Sequence, residues 1–149
     1  MDFFSAMDVA ASGLSAERTR MNVTARNIAN AQTTRTAEGG PYRRQDPVFT
    51  AVPLREEAGG FEKTLAHELQ HGDVAGVAVE RIVEDPSPPH LVYDPGHPDA
   101  DARGYVAMPN VSLVEEMVNM ITASRAYESG VTALQTLRSM AERAIGIGR

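Results

Sequence analysis

One short run has the types and spacing for hydrolytic chemistry. His67-Glu68-Leu69-Gln70-His71 reads H-E-x-x-H. On a helix, His at i and i+4 share a face and can hold zinc, with the Glu as general base toward a metal-bound water. Such a site needs a third ligand and a helix that continues past its second His. Here Gly72-Asp73 follow His71 at once, and Val74 stands where the extended H-E-x-x-H-x-x-G-x-x-H form requires Gly. His90 and His97 remain as third ligands, and both sit among prolines. The segment of about 45 residues around the motif is too small for the usual protease domain. A solvated polar stretch is the favoured reading, with a small zinc peptidase using His67, Glu68 and His71 as the alternative.

Other chemistry is scarcer. The chain has no Cys, which excludes disulfides, thiolate metal sites and thiol nucleophiles. G-x-S-x-G, G-x-G-x-x-G and the phosphate loop are all missing. Arg43-Arg44 reads as a solvated strand edge rather than an anion site. Glu115-Glu116 suits the N-terminal end of a helix dipole. No catalytic residue, metal or cofactor is assigned, and no small-molecule substrate is expected. A net charge of −6 argues against nucleic acid as a partner.

The elements that would carry these residues show in the charge distribution. The 149 residues are about one domain's worth. Residues 1–30 set Asp2, Asp8 and Glu17 against Arg18, Arg20 and Arg26. Residues 109–149 set Glu115, Glu116, Glu128 and Glu142 against Arg125, Arg138, Arg143 and Arg149. The whole deficit therefore falls in residues 31–108, with 13 acids against 7 bases. All nine prolines lie between Pro41 and Pro109. Two neutral ends frame an acidic, punctuated middle. Met1–Met7 lacks the basic start of a cleavable signal peptide, and no run is apolar enough to cross a membrane. Taken alone, that reads as a soluble cytoplasmic chain.

Both ends read as amphipathic helices. Over 5–29, Met7, Leu14, Met21 and Ile28 recur every seventh residue, and alanines fill neighbouring positions. A second helix starts after Pro109, with Ser112 and Glu115 spaced as a capping box. Its apolar positions are Leu113, Met117, Met120, Tyr127, Val131, Leu134, Leu137, Ala141 and Ile145. The expected fold is mainly α: long terminal helices paired as a coiled-coil-like hairpin, with a small β-rich, turn-rich middle. Residues 1–33 and 109–149 form the helical assembly domain in this reading, and 34–108 the middle domain. Strands are expected over 48–52, 77–83, 91–93 and 104–106, and a short helix or loop over 61–71. Two helices alone bury little, so the chain is expected to assemble with others.

The end of the first helix carries a specific pattern. Asn27-Ile28-Ala29-Asn30-Ala31-Gln32-Thr33 resembles the Asn-Ile-Ala-Asn-x-x-Thr signature of bacterial flagellar rod and hook proteins. Ala11–Glu17 and Arg20-Met21 are similar to the block before it. Asp94-Pro95-Gly96-His97-Pro98, then Gly104-Tyr105, then Ser124–Glu128 resemble the short proximal-rod members rather than the longer hook proteins. The chain departs from the family at Gly130, where Asn is common, and over residues 46–75. The resemblance implies a structural subunit whose terminal helices polymerise with other copies and with other rod proteins. It also implies contact with the membrane-ring base and unfolded passage through the flagellar type III export gate. Phe3, Phe4 and Met7 would then be read by that gate, or serve only as the first seam residues. A helical export-chaperone-like module is the non-enzymatic rival.

On this reading the purified chain carries far less than stoichiometric zinc, and Glu68→Ala costs it nothing. Near-stoichiometric metal by elemental analysis, with a peptidase activity lost in Glu68→Ala, would establish the enzyme instead.

Overall fold

The computed structural model describes residues 3–53 and 75–147. The H-E-x-x-H run and the short helix or loop expected over 61–71 lie outside the described residues. Helix α1 spans Phe3–Ala29, and helix α2 spans Leu113–Ile147. Between them lie β1 (Gln45–Pro53), β2 (Ala75–Glu84), β3 (His90–Tyr93) and β4 (Tyr105–Met108). The chain is roughly half helical, with a small strand-containing middle, as its patterning implied.

The two helices pack together, and two contacts fix their sense. A Cβ built on Gly130 would lie 2.8 Å from Leu14 Cδ2. Near the other end of α1, Asn27 hydrogen-bonds Glu116. Moving forward from Leu14 to Asn27 thus moves backward from Gly130 to Glu116, so α1 and α2 run antiparallel. Gly130, unfavourable inside a helix by about 1 kcal/mol, leaves the room that the Leu14 side chain occupies.

The buried stripe of α2 runs through Glu116, Met120, Ala123, Tyr127, Gly130, Leu134, Leu137 and Ala141, in alternating steps of four and three. Leu113 and Met117, expected in the seam, lie outside it at 44% and 48% exposed. Hydrophobicity alone picks Met117, whereas the buried position next to it is the charged Glu116. On α1, Met7, Leu14, Met21 and Ile28 are half-buried. The deepest residues are Ala16, Val23, Thr24 and Asn27, because α1 is covered on a second side by β1 and β2. Ser12 ties the layers: its hydroxyl donates to Val9 O at 2.7 Å and accepts the Val77 N–H at 3.0 Å.

Strands β1 and β2 pair antiparallel from Gln45↔Glu84 to Pro53↔Ala75. A bulge between Val48 and Phe49 leaves Glu80 without a partner. Pro47 lies inside β1 rather than ahead of it, tolerable in a two-stranded sheet where every strand is an edge. Strands β3 and β4 form a separate antiparallel pair from His90↔Met108 to Tyr93↔Tyr105. Among the described elements, β3 and β4 touch only each other. They lean instead on the loop after α1, where the Thr34 hydroxyl donates to Asp99 Oδ2 at 2.8 Å.

The apolar core is thin. Among the described residues the buried apolar side chains are Ala16, Val23, Val106 and Ala123. Large apolar side chains stand out instead along the first turns of α2: Val114 at 72%, Val118 at 57% and Ile121 at 54% exposed. Contiguous apolar surface of this kind marks an interaction face.

The β3–β4 turn depends on one glycine. Gly104 has φ +80°, and a Cβ there would meet Tyr93 Cε2 at 3.0 Å and Pro95 Cβ at 3.2 Å. Gly104→Ala is therefore expected to cost the hairpin about 1–3 kcal/mol. Amide exchange should speed up over 90–108 and stay unchanged over both helices.

Candidate functional site

The Asn27 signature ends α1 in a compact turn. The Asn30 side chain donates back to Arg26 O at 2.9 Å, and the Thr33 hydroxyl donates to Asn30 Oδ1 at 3.2 Å. The Thr33 N–H closes the turn on Asn30 O at 3.0 Å, and Thr33 O accepts the Tyr42 N–H at 3.0 Å. Asn30 and Thr33 thus turn the chain back toward β1. Ile28 is half-buried and Ala29 exposed.

Asn27 itself is 1% exposed and fully used. Its amide nitrogen donates to Gln45 O at 2.8 Å and to Glu116 Oε2 at 3.0 Å. Its oxygen accepts the Gln45 N–H at 3.0 Å and the Tyr42 hydroxyl at 2.8 Å. The carboxamide pairs with both backbone groups of Gln45, as a neighbouring strand's peptide would. Asn suits this place because one flat group carries two donors and an acceptor with room for two bonds.

Glu116, also 1% exposed, is the second hub. The Arg44 Nε–H donates to its Oε1 at 2.8 Å. Arg44 also grips Asp46 through its Nη1. Burial works against the charge on Arg44, but the hydrogen bond to Glu116 and the carboxylates of Asp46 and Glu116 outweigh it. The guanidinium is held above its ordinary value. Burial pushes the Tyr42 hydroxyl up, opposed by Arg26 and reinforced by Glu116 and Glu84. Tyr42 stays protonated and keeps donating to Asn27.

Arg44 and Glu116 both differ from what their local sequence implies. Arg44 is not a solvated edge: its side chain is 22% exposed and clamped between carboxylates. Glu116 does more than favour a helix dipole: it is buried in the seam. Asn27 was legible from its motif. Arg44, Gln45, Tyr42 and Glu116 were not, because nothing local brings the 42–45 segment to Asn27 and to Glu116, 72 residues beyond Arg44.

The middle motif is a turn. Asp94 Oδ1 accepts the Gly96 N–H at 3.2 Å, and the His97 N–H donates to Asp94 O at 3.2 Å. His97 Nδ1 accepts the Asp99 N–H at 3.1 Å, so this nitrogen serves the turn and not a metal. Pro95 packs beside Gly104, and Pro98 lines an open cleft with Thr34, Arg35, Pro41, Asp99 and Val106. Tyr93 and Tyr105 stack edge to face at 5.3 Å. Among the described residues, no group of three or more His, Asp or Glu is placed to hold a metal. The arrangement fastens segments together.

Asn27→Ala would strand the Gln45 N–H and C=O and is expected to cost about 2–4 kcal/mol. Asn27→Asp should do worse, since a second carboxylate oxygen would face Glu116 Oε2. Urea unfolding of the purified variants measures both.

Two family models match the chain. One, described as "Flagella basal body rod protein", matches residues 7–35. The other, "Flagellar basal body rod FlgEFG protein C-terminal", matches residues 102–147. The first span contains Asn27 and the second Glu116. Curated relatives match across their whole length. The flagellar basal-body rod protein FlgC of Borreliella burgdorferi is 46% identical, covering 99% of this chain and 98% of its own. Those of Bacillus subtilis and Salmonella typhimurium are 40% and 38% identical, each covering 100% of both chains. A full-length match of this strength places the chain in the FlgC family of flagellar basal-body rod proteins, which are structural subunits.

Proposed function

We propose that the chain is a protomer of the proximal segment of the rod, polymerising through its terminal helices. The observation that carries this is the pairing of a full-length FlgC match with a thin core and an uncovered apolar stripe on α2. Within one copy, Met120, Tyr127, Val131 and Leu134 face partly inward, whereas Leu113 and Met117 with Val114, Val118 and Ile121 face out. The outward set is the surface for neighbouring copies and other rod proteins. α1 and α2 act as a coiled-coil-like pair, with residues 1–33 and 109–149 as the assembly unit. Residues 34–108, acidic and turn-rich, fill the spaces between subunits or meet the membrane-ring base.

The chain reaches the rod through the type III export gate, without a cleaved signal peptide. Phe4 is 70% exposed, with Phe3 edge-on at 5.7 Å, which leaves an aromatic start accessible to that gate. No described helix is long and apolar enough to cross a membrane.

Leu14→Asp puts a charge against Gly130 of α2, and Leu134→Asp puts one in the α2 seam. Each should abolish swimming and remove the chain from isolated basal bodies. Normal motility with either variant would sink the proposal.

A further inference from the structure

The helix seam contains a charge that neither helix neutralises. Glu116 is 1% exposed, and α1 offers it only the neutral amide of Asn27 at 3.0 Å. Its own helix adds Asn119 at 3.5 Å. Among the described residues, the cation that hydrogen-bonds Glu116 is Arg44, which belongs to neither helix. Arg44 immediately precedes β1, and its carbonyl accepts the Asp85 N–H at 2.8 Å, just past the end of β2. The next residue, Gln45, pairs with Glu84 across the sheet and is held on α1 by both atoms of the Asn27 amide. The guanidinium is therefore in place only when β1 and β2 are paired and seated on α1.

A buried carboxylate whose cation is removed is strongly destabilising, whereas a pair removed together is tolerated. We infer that α1 and α2 pair only after the β1–β2 hairpin has docked, with Arg44 as the positioning residue that neutralises Glu116 and completes the seam. The terminal helices are thus not a self-sufficient coiled coil. Their pairing reports that the middle of the chain has folded. The consequence for assembly rests on the rod reading above: a protomer with an undocked middle does not present a finished helical unit.

The test uses the full chain with Arg44→Gln, Glu116→Gln and both together, read by hydrogen exchange and by swimming. Arg44→Gln should speed exchange at the facing amides of α1 and α2 by at least about tenfold. Glu116→Gln should change it by less than about threefold, because Arg44, 22% exposed, keeps Asp46 and water. The double variant should behave like Glu116→Gln, which a pair of ordinary packing contacts would not do. Amides of β3 and β4, whose strands touch neither helix, should not change in any variant.

Equal damage from the two single variants would overturn the inference. So would a double variant as loose as Arg44→Gln, or loosening that extends to β3 and β4. Swimming should be lost in Arg44→Gln and return in the double variant. If exchange follows the expected pattern while swimming never changes, the rod reading fails and the helix condition stands.

Discussion

The carboxamide of Asn27 is the point on which three layers meet. It stands in the last turn of α1, takes the place of a strand partner for Gln45, and reaches Glu116 on α2. A buried amide left unpaired costs more than a paired one contributes, so the cluster admits one arrangement and penalises its neighbours. A slip of the helices by one turn, or of β1 by one residue, strands several of these groups at once. Apolar seams do not discriminate so sharply, because half-buried Met and Leu side chains repack at small cost.

That discrimination matters because so little else holds the protomer in one shape. Its core is four small or medium apolar side chains among the described residues. Among the described residues the two sheets have two strands each, and every strand is an edge. Apolar area that a self-contained domain would bury is left on the outer turns of α2. Such a chain suits a polymer, where neighbours supply the missing burial and the protomer supplies register. The neutral ends fit this division, since like can pack against like without strong repulsion. Within the middle, β1 and β2 sit on α1, whereas β3 and β4 lean on the loop after α1.

Much of this was legible from local pattern. Both helices, all four strands and the turn chemistry of Asp94-Pro95-Gly96 follow from periodicity and from Pro and Gly placement, with boundaries moved by a few residues. Met120, Tyr127, Leu134, Leu137 and Ala141 lie in the stripe that periodicity implies, and the difference is confined to the first turns of α2. Met117 scores as a seam residue because it is apolar, yet Glu116 occupies the seam because Arg44 and Asn27 meet it there. Arg44 was misjudged in the same way: a basic pair beside a strand is usually solvated, and only a partner 72 residues away changes that.

The sequence by itself determined the family, the helix–strand–helix order and the separation of charge, since each depends on residues close together in the chain. It also determined that Asn27 was special, through a motif of seven residues. Only the tertiary structure decided what Asn27 is for. Its partners come from β1 and α2, 18 and 89 residues onward, and complementarity between a buried amide, a strand backbone and a buried ion pair is a property of their approach in space.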